Sequence, residues 1–171
     1  MKRVAAIACG VVVGLAVAGQ ASAAVRVKPA GMFAKQSAAL YRANIPVLLP
    51  SSITLVDTFR IPTTEGGRTA TGYALRLVGS RDCHGGGACT YGTFTARGGG
   101  PAGGRRVTLR GRRAGYYQPM RCGASCAKPS IQWRQFGFTF SIVAALGTSP
   151  KTQRTNLLAA ANQAIAAGPR R

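Results

Sequence analysis

From residue 53 onward, apolar side chains recur at every second position in short runs divided by glycine and proline. That period commits a chain to β-strands with one buried face. Residues 53–61 alternate through Ile53, Leu55, Asp57 and Phe59. Residues 71–78 set Tyr73, Leu75 and Leu77 against Ala74, Arg76 and Val78, and 90–97 set Tyr91, Thr93 and Thr95 against Phe94 and Ala96. With Pro62-Thr63-Thr64-Glu65-Gly66-Gly67 as a hairpin-type loop, these three segments predict a meander. Residues 98–104 carry five glycines, cannot pack a core and read as an exposed loop. A strand resumes over 105–110 with Val107 and Leu109 inward, then Gly111-Arg112-Arg113-Ala114-Gly115 turns. Residues 130–135 and 138–143 form the strongest hairpin, around Phe136-Gly137, with Ile131 and Trp133 on one face and Phe138, Phe140 and Ile142 on one face.

Helical signals flank these strands. Residues 29–44 can form a first helix with Phe33, Leu40 and Tyr41 on one side and Met32 and Ser37 beside them. Pro46 and Pro50 make the apolar residues between them an extended, buried connector. At the other end Ser149 can cap a helix, Pro150 suits its first position and Gly168-Pro169 supplies the stop; Leu157, Leu158, Ala161 and Ile165 draw a narrow apolar stripe. The expected fold class is α+β: a curved antiparallel β-sheet of about six to seven strands packed by an N-terminal and a C-terminal helix.

Residues 1–23 read as a cleaved secretory signal, with Lys2 and Arg3 ahead of an apolar run and Ala21-Ser22-Ala23 as a small-x-small site. The apolar run, about sixteen residues, is short of the roughly twenty that a spanning helix needs. The mature chain, 24–171, is long enough for one domain with a real core and is expected to be periplasmic or secreted, with no membrane span.

Export governs the cysteines. Setting Cys9 aside leaves Cys83, Cys89, Cys122 and Cys126 in an oxidising compartment, so the default is two structural disulfides clipping the region 83–126. Gly and Ala in both short intervals favour Cys83 with Cys89 and Cys122 with Cys126. Loop entropy leaves the crossed pairings open: it contributes about 2 kcal/mol for each short loop and about 4 kcal/mol for a loop of about forty residues.

Charge is the other constraint. Twenty-three Lys and Arg, less Lys2 and Arg3, against three acids leave about +18 on the mature chain, and eighteen of the basic residues are arginine. Arginine suits bidentate contacts to phosphate, sulfate or carboxylate; codon bias in a GC-rich genome would raise Arg, Ala and Gly alike. Either origin gives a field that attracts polyanions with strong salt dependence. The densest basic region holds Arg105, Arg106, Arg110, Arg112, Arg113 and Arg121. Tyr116 or Tyr117, if exposed beside it, would give an arginine and aromatic surface of the kind that binds single-stranded nucleic acid; buried, one of the pair would belong to the core and the arginines to a solvated rim.

Catalytic chemistry finds little to work with. Cys83 adjoins His84, but neighbours on a strand or loop point apart, and the chain has one histidine. Cys122-x-x-x-Cys126 lacks the two-residue spacing of redox motifs. Zinc or copper would find suitable atoms in the cysteines and His84, yet the intervals fit no zinc pattern and oxidation removes the thiolates. Asp57, Glu65 and Asp82 lie in separate segments, which disfavours a paired acid and base. The glycines of 98–104 have no following helix or lysine to cradle phosphate. No cofactor is expected.

The order Trp133-x-x-x-Gly137-x-x-Phe140-x-Ile142, followed by a helix carrying Ala161-Asn162-x-Ala164-Ile165, resembles the end of small extracytoplasmic bacterial domains of unknown function. It is also similar to the C-terminal sensor-like domains of some anti-sigma factors, as is the entry at Pro46 to Pro50. The resemblance implies a curved antiparallel sheet packed by helices and brings no catalytic residue; the four cysteines depart from the sensor domains.

Two functional classes follow. One is an exported, non-enzymatic binding module whose basic surface takes a polyanion such as lipopolysaccharide, an acidic glycan, nucleic acid or an acidic protein. The other is an envelope structural or interaction protein that holds a protein segment or an apolar ligand on its sheet.

Overall fold

A computed structural model of the chain describes residues 24–56, 62–79 and 89–170. The expected signal segment, Asp57, Asp82, Cys83 and His84 lie outside the described residues. In chain order the elements are β1 (Val25–Val27), α1 (Pro29–Met32), α2 (Ala34–Arg42), β2 (Ile53–Leu55), β3 (Thr63–Thr69), β4 (Gly72–Val78) and β5 (Thr90–Arg97). After these come β6 (Arg105–Leu109), a short 3-10 turn (Arg110–Arg112), β7 (Arg113–Gln118), β8 (Arg121–Cys122), β9 (Cys126–Ala127), β10 (Ser130–Gln135), β11 (Phe138–Ala144) and α3 (Pro150–Ala167). Seven strands form one antiparallel sheet in the order β3-β4-β5-β11-β10-β7-β6, which realises the α+β expectation. β1 pairs with β2, and β8 with β9, as separate antiparallel ribbons.

Alternation decides which face of the sheet is buried. Tyr73, Leu75 and Leu77 of β4, Phe94 and Ala96 of β5, Phe140 and Ile142 of β11, Ile131 and Trp133 of β10, Tyr117 of β7 and Val107 of β6 share one face and are all buried. Trp133 stacks on Phe140 with ring centroids 5.7 Å apart, and Phe33 meets Phe94 edge-on at 5.9 Å.

The helices close this face. In α3 the buried residues are Gln153, Leu157, Ala160, Ala161 and Ala164, with Leu158 and Ile165 half-buried against the same core as the sequence stripe expects; full burial of a leucine side chain such as Leu157 is worth about 1.5–3 kcal/mol. Polar, directional contacts complete the seat. Gln153 donates to the Gly147 carbonyl, Asn156 to that of Leu146, Asn162 accepts from the Arg110 amide at 2.7 Å, and Gln163 accepts from the Ser51 hydroxyl at 2.9 Å. Ser149 and Thr152 form a reciprocal capping box at its start, worth on the order of 1 kcal/mol.

Two expectations for the first half of the chain change. The segment 29–44 is two helices with a break at Phe33, whose ring is fully buried. Phe33, Ser37 and Leu40 share the buried side while Tyr41 stays 44 % exposed, because at 100° per residue it falls about 80° away from Phe33. The meander is also shifted. Residues 53–61 do not open the large sheet; Ile53–Leu55 pairs with β1, residues 57–61 lie outside the described residues, and the stretch read as a loop is part of β3. Gly66 makes that strand pairing feasible, since at φ +107° a Cβ there would lie 2.0 Å from the Ala74 carbonyl oxygen.

Between α2 and β2 the apolar connector is buried and extended as expected. The Tyr73 hydroxyl reaches up from the sheet, donating to the Leu48 carbonyl and accepting from the Leu48 amide at 3.4 Å each, and the Arg170 amide donates to the Val47 carbonyl at 2.9 Å.

Candidate functional site

The same alternation that buries one face of the sheet builds the other from polar residues. Arg76 lies between Leu75 and Leu77 and therefore opposite to them; Arg97 follows the buried Ala96, and Arg134 the buried Trp133. The register brings them onto one face with Thr93, Thr95 and Ser141, because Arg76 pairs with Thr93, Thr95 with Ser141 and Thr139 with both Arg97 and Arg134. Arg106 joins this face from the edge strand β6, opposite Tyr116. Arg76, Arg97, Arg106 and Arg134 are all exposed. Against them stands Glu65, the only acid among the described residues, in cross-strand register with Arg76.

Residues 98–104 give this face its relief. They connect β5 to β6, which have three strands between them, by crossing the outer face of β11, β10 and β7. One side chain from each strand holds the crossing segment: Thr139 donates its hydroxyl to the Gly99 carbonyl at 2.6 Å, Gln132 accepts from the Ala102 amide at 2.9 Å, and Gln118 donates to the Gly103 carbonyl at 3.1 Å. Thr139 is thereby 1 % and Gln132 8 % exposed although both belong to the polar face. At Gly104, where the chain enters β6 at φ +126°, a Cβ would come within 2.8 Å of the Tyr117 carbonyl oxygen. The segment is exposed as expected, and only Gly104 is required by close approach; a Cβ at Gly98, Gly100 or Gly103 would meet open space, with Gly99 and Gly103 serving instead through their positive φ.

The β8–β9 hairpin borders the face elsewhere. Cys122 and Cys126 are bonded to each other, which excludes a crossed pairing of either with Cys83 or Cys89; Cys89 is disulfide-bonded too. Cys126, Ala127 and Lys128 combine with Arg76, Thr90, Thr93 and Val143 to line a hollow of about 390 Å³. Lys128 is half-buried, and that burial lowers the pKa of its ammonium group.

The arginines that are dense in sequence are not one cluster in space. Arg105 and Arg106 project to opposite faces as strand neighbours: Arg105 is paired with Tyr117 on the helix side and Arg106 with Tyr116 on the outer side. Tyr117 is core, and burial raises the pKa of its hydroxyl while the positive fields of Arg154 and Arg105 oppose the rise. Tyr116 is half-buried beside Gln132. Arg110 and Arg112 sit in the 3-10 turn, with the Arg110 amide tied to α3. Arg113 is half-buried and donates to the Arg134 carbonyl at 3.4 Å, and Arg121 is exposed in the clipped hairpin. Arg76, Arg97, Lys128 and Arg134 were not in the sequence-derived set. Alternation already set Arg76 opposite the core face, and the same parity reading of β5 and β10 would have placed Arg97 and Arg134 with it.

Among the described residues, no group of three His, Cys, Asp or Glu side chains comes together, and no helix is long and apolar enough to cross a membrane. No protein-family model matches the chain, and no curated protein or solved structure matches it.

Proposed function

We propose that this chain is an exported, non-enzymatic binding module that takes polyanions on the outer face of its sheet. The observation that carries this reading is the convergence there of exposed arginines from β4, β5, β6 and β10 over a floor of threonine and serine hydroxyls, against Glu65 alone among the described acids. Guanidinium groups pair bidentately with phosphate, sulfate or carboxylate, and hydroxyls supply further hydrogen bonds without adding negative charge. The clipped hairpin borders the floor and the crossing segment divides it, with Arg76, Thr93, Thr95 and Ser141 on one side and Arg106 and Arg134 on the other, so a bound chain would have to span that segment to meet all of them. Retention on immobilised heparin tests the reading. The expected result is retention that falls steeply as salt rises; retention no stronger than that of lysine-matched control proteins would overturn it. Binding to an envelope partner that survived high salt would favour the interaction-protein class instead.

A further inference from the structure

One apolar spot is only half covered by the fold. Phe136 is 53 % and Tyr41 44 % exposed, and both line one groove of about 370 Å³ with Phe138, Pro46 and Pro169. Phe136 also sits in an unfavourable conformation. It is the first residue of the two-residue turn between β10 and β11, with φ +50° followed by +79° at Gly137, and the position favours Asn or Gly over a bulky side chain. A phenyl ring here neither enters the core nor suits the turn.

Among the described residues no arginine lines the groove, but two lie next to its rings along the chain and a third is bonded to one of these. Arg42 follows Tyr41 and is exposed, Arg134 is exposed two residues before Phe136, and Arg113 hydrogen-bonds the carbonyl of Arg134. Glu65 is on β3, separated from β11 by β4 and β5. Half-exposed aromatic rings with exposed arginines next to them in the chain match an interface that is apolar beneath and negative above. A soluble glycan supplies the charge but nothing for the rings, whereas a single-stranded nucleic acid would stack bases on them, an outcome the DNA arm of the test separates.

We propose that this hairpin tip docks on an anionic lipid surface, with Phe136 and Tyr41 entering the boundary between headgroups and acyl chains while Arg42, Arg113 and Arg134 meet lipid phosphates. The proposal rests on the basic-surface reading for its electrostatic half only. Its test is co-sedimentation of the disulfide-intact protein with vesicles of phosphatidylcholine containing phosphatidylglycerol, beside vesicles of phosphatidylcholine alone, with heparin and single-stranded DNA binding measured in parallel.

The informative variant is Phe136→Asn, which suits the turn and is expected to hold or raise Tm. Binding to the anionic vesicles should fall about tenfold, as for the lost partial burial of one phenyl ring, with heparin and DNA binding unchanged. Vesicle binding equal to that of the unsubstituted protein would overturn the proposal, as would a parallel loss of DNA binding, which would assign the rings to base stacking. Phe136-dependent vesicle binding in a protein that heparin does not retain would sustain this proposal and sink the polyanion reading.

Discussion

Replacing Arg76, Arg97 and Arg106 together by glutamine separates a dedicated face from mere net charge. The matched control replaces Arg68, Lys151 and Arg154, which are equally exposed and equally charged but lie on the helix side: Arg68 shares a face with the buried Tyr73, and the other two are on α3. For a single-stranded nucleic acid each neutralised phosphate contributes about 0.7 to the slope of log K against log salt. If all three outer arginines contact phosphate, their loss lowers the slope by about 2, which at 0.1 M salt amounts to about a hundredfold in affinity, or about 2.8 kcal/mol. Charges on the far side act across more than the screening length of about 10 Å at that salt and should contribute little. Fluorescence anisotropy of a labelled oligothymidylate, titrated at several salt concentrations, reads both quantities. Equal losses in the two triple variants would refute the reasoning, because they would mean that binding follows total charge without regard to face.

Two further outcomes follow from the way the outer face and the core are held. Thr139→Val removes the hydroxyl that anchors the Gly99 carbonyl and should cost about 1 kcal/mol in urea unfolding, with faster amide exchange across residues 99–104; unchanged exchange there would contradict an anchored crossing. Burial holds the Tyr73 hydroxyl well above the usual tyrosine pKa, so the folded state keeps its proton where the unfolded chain ionises. Its contribution is therefore complete below about pH 10 and lost as pH rises beyond that, and Tyr73→Phe should flatten the fall of stability above pH 10. A slope identical to that of the unsubstituted protein would show that Tyr73 ionises as freely in the fold as outside it.

Legibility in the sequence tracked how local the deciding signal is. The hairpin of β10 and β11 and the start of α3 could be read because alternation, the Phe136-Gly137 turn, Ser149 and Pro150 all act within a few residues. β3 could not: Gly66 and Gly67 read as a turn, and only the close approach of Ala74 from the neighbouring strand shows why glycine belongs inside it. The crossing of 98–104 was hidden for a similar reason, since its anchors are Thr139, Gln132 and Gln118, each remote in sequence. Basic density along the chain also misdirected the site. Consecutive arginines such as Arg105 and Arg106 are split between faces, while Arg76, Arg97 and Arg134, single in their strands, are brought onto one face by register. The α+β class was legible from alternation and helix signals, but the relief of the outer face comes from the clipped hairpin and the glycine-rich crossing.

The most direct measurement follows the arginine Nε–H resonances by NMR while a heparin oligosaccharide is titrated into the disulfide-intact protein. Polyanion binding on the outer face predicts that Arg76, Arg97 and Arg106 shift and saturate together, while Arg68 and Arg154 remain in place. Shifts centred on Arg68 and Arg154, or spread evenly over all of the exposed arginines, would contradict it.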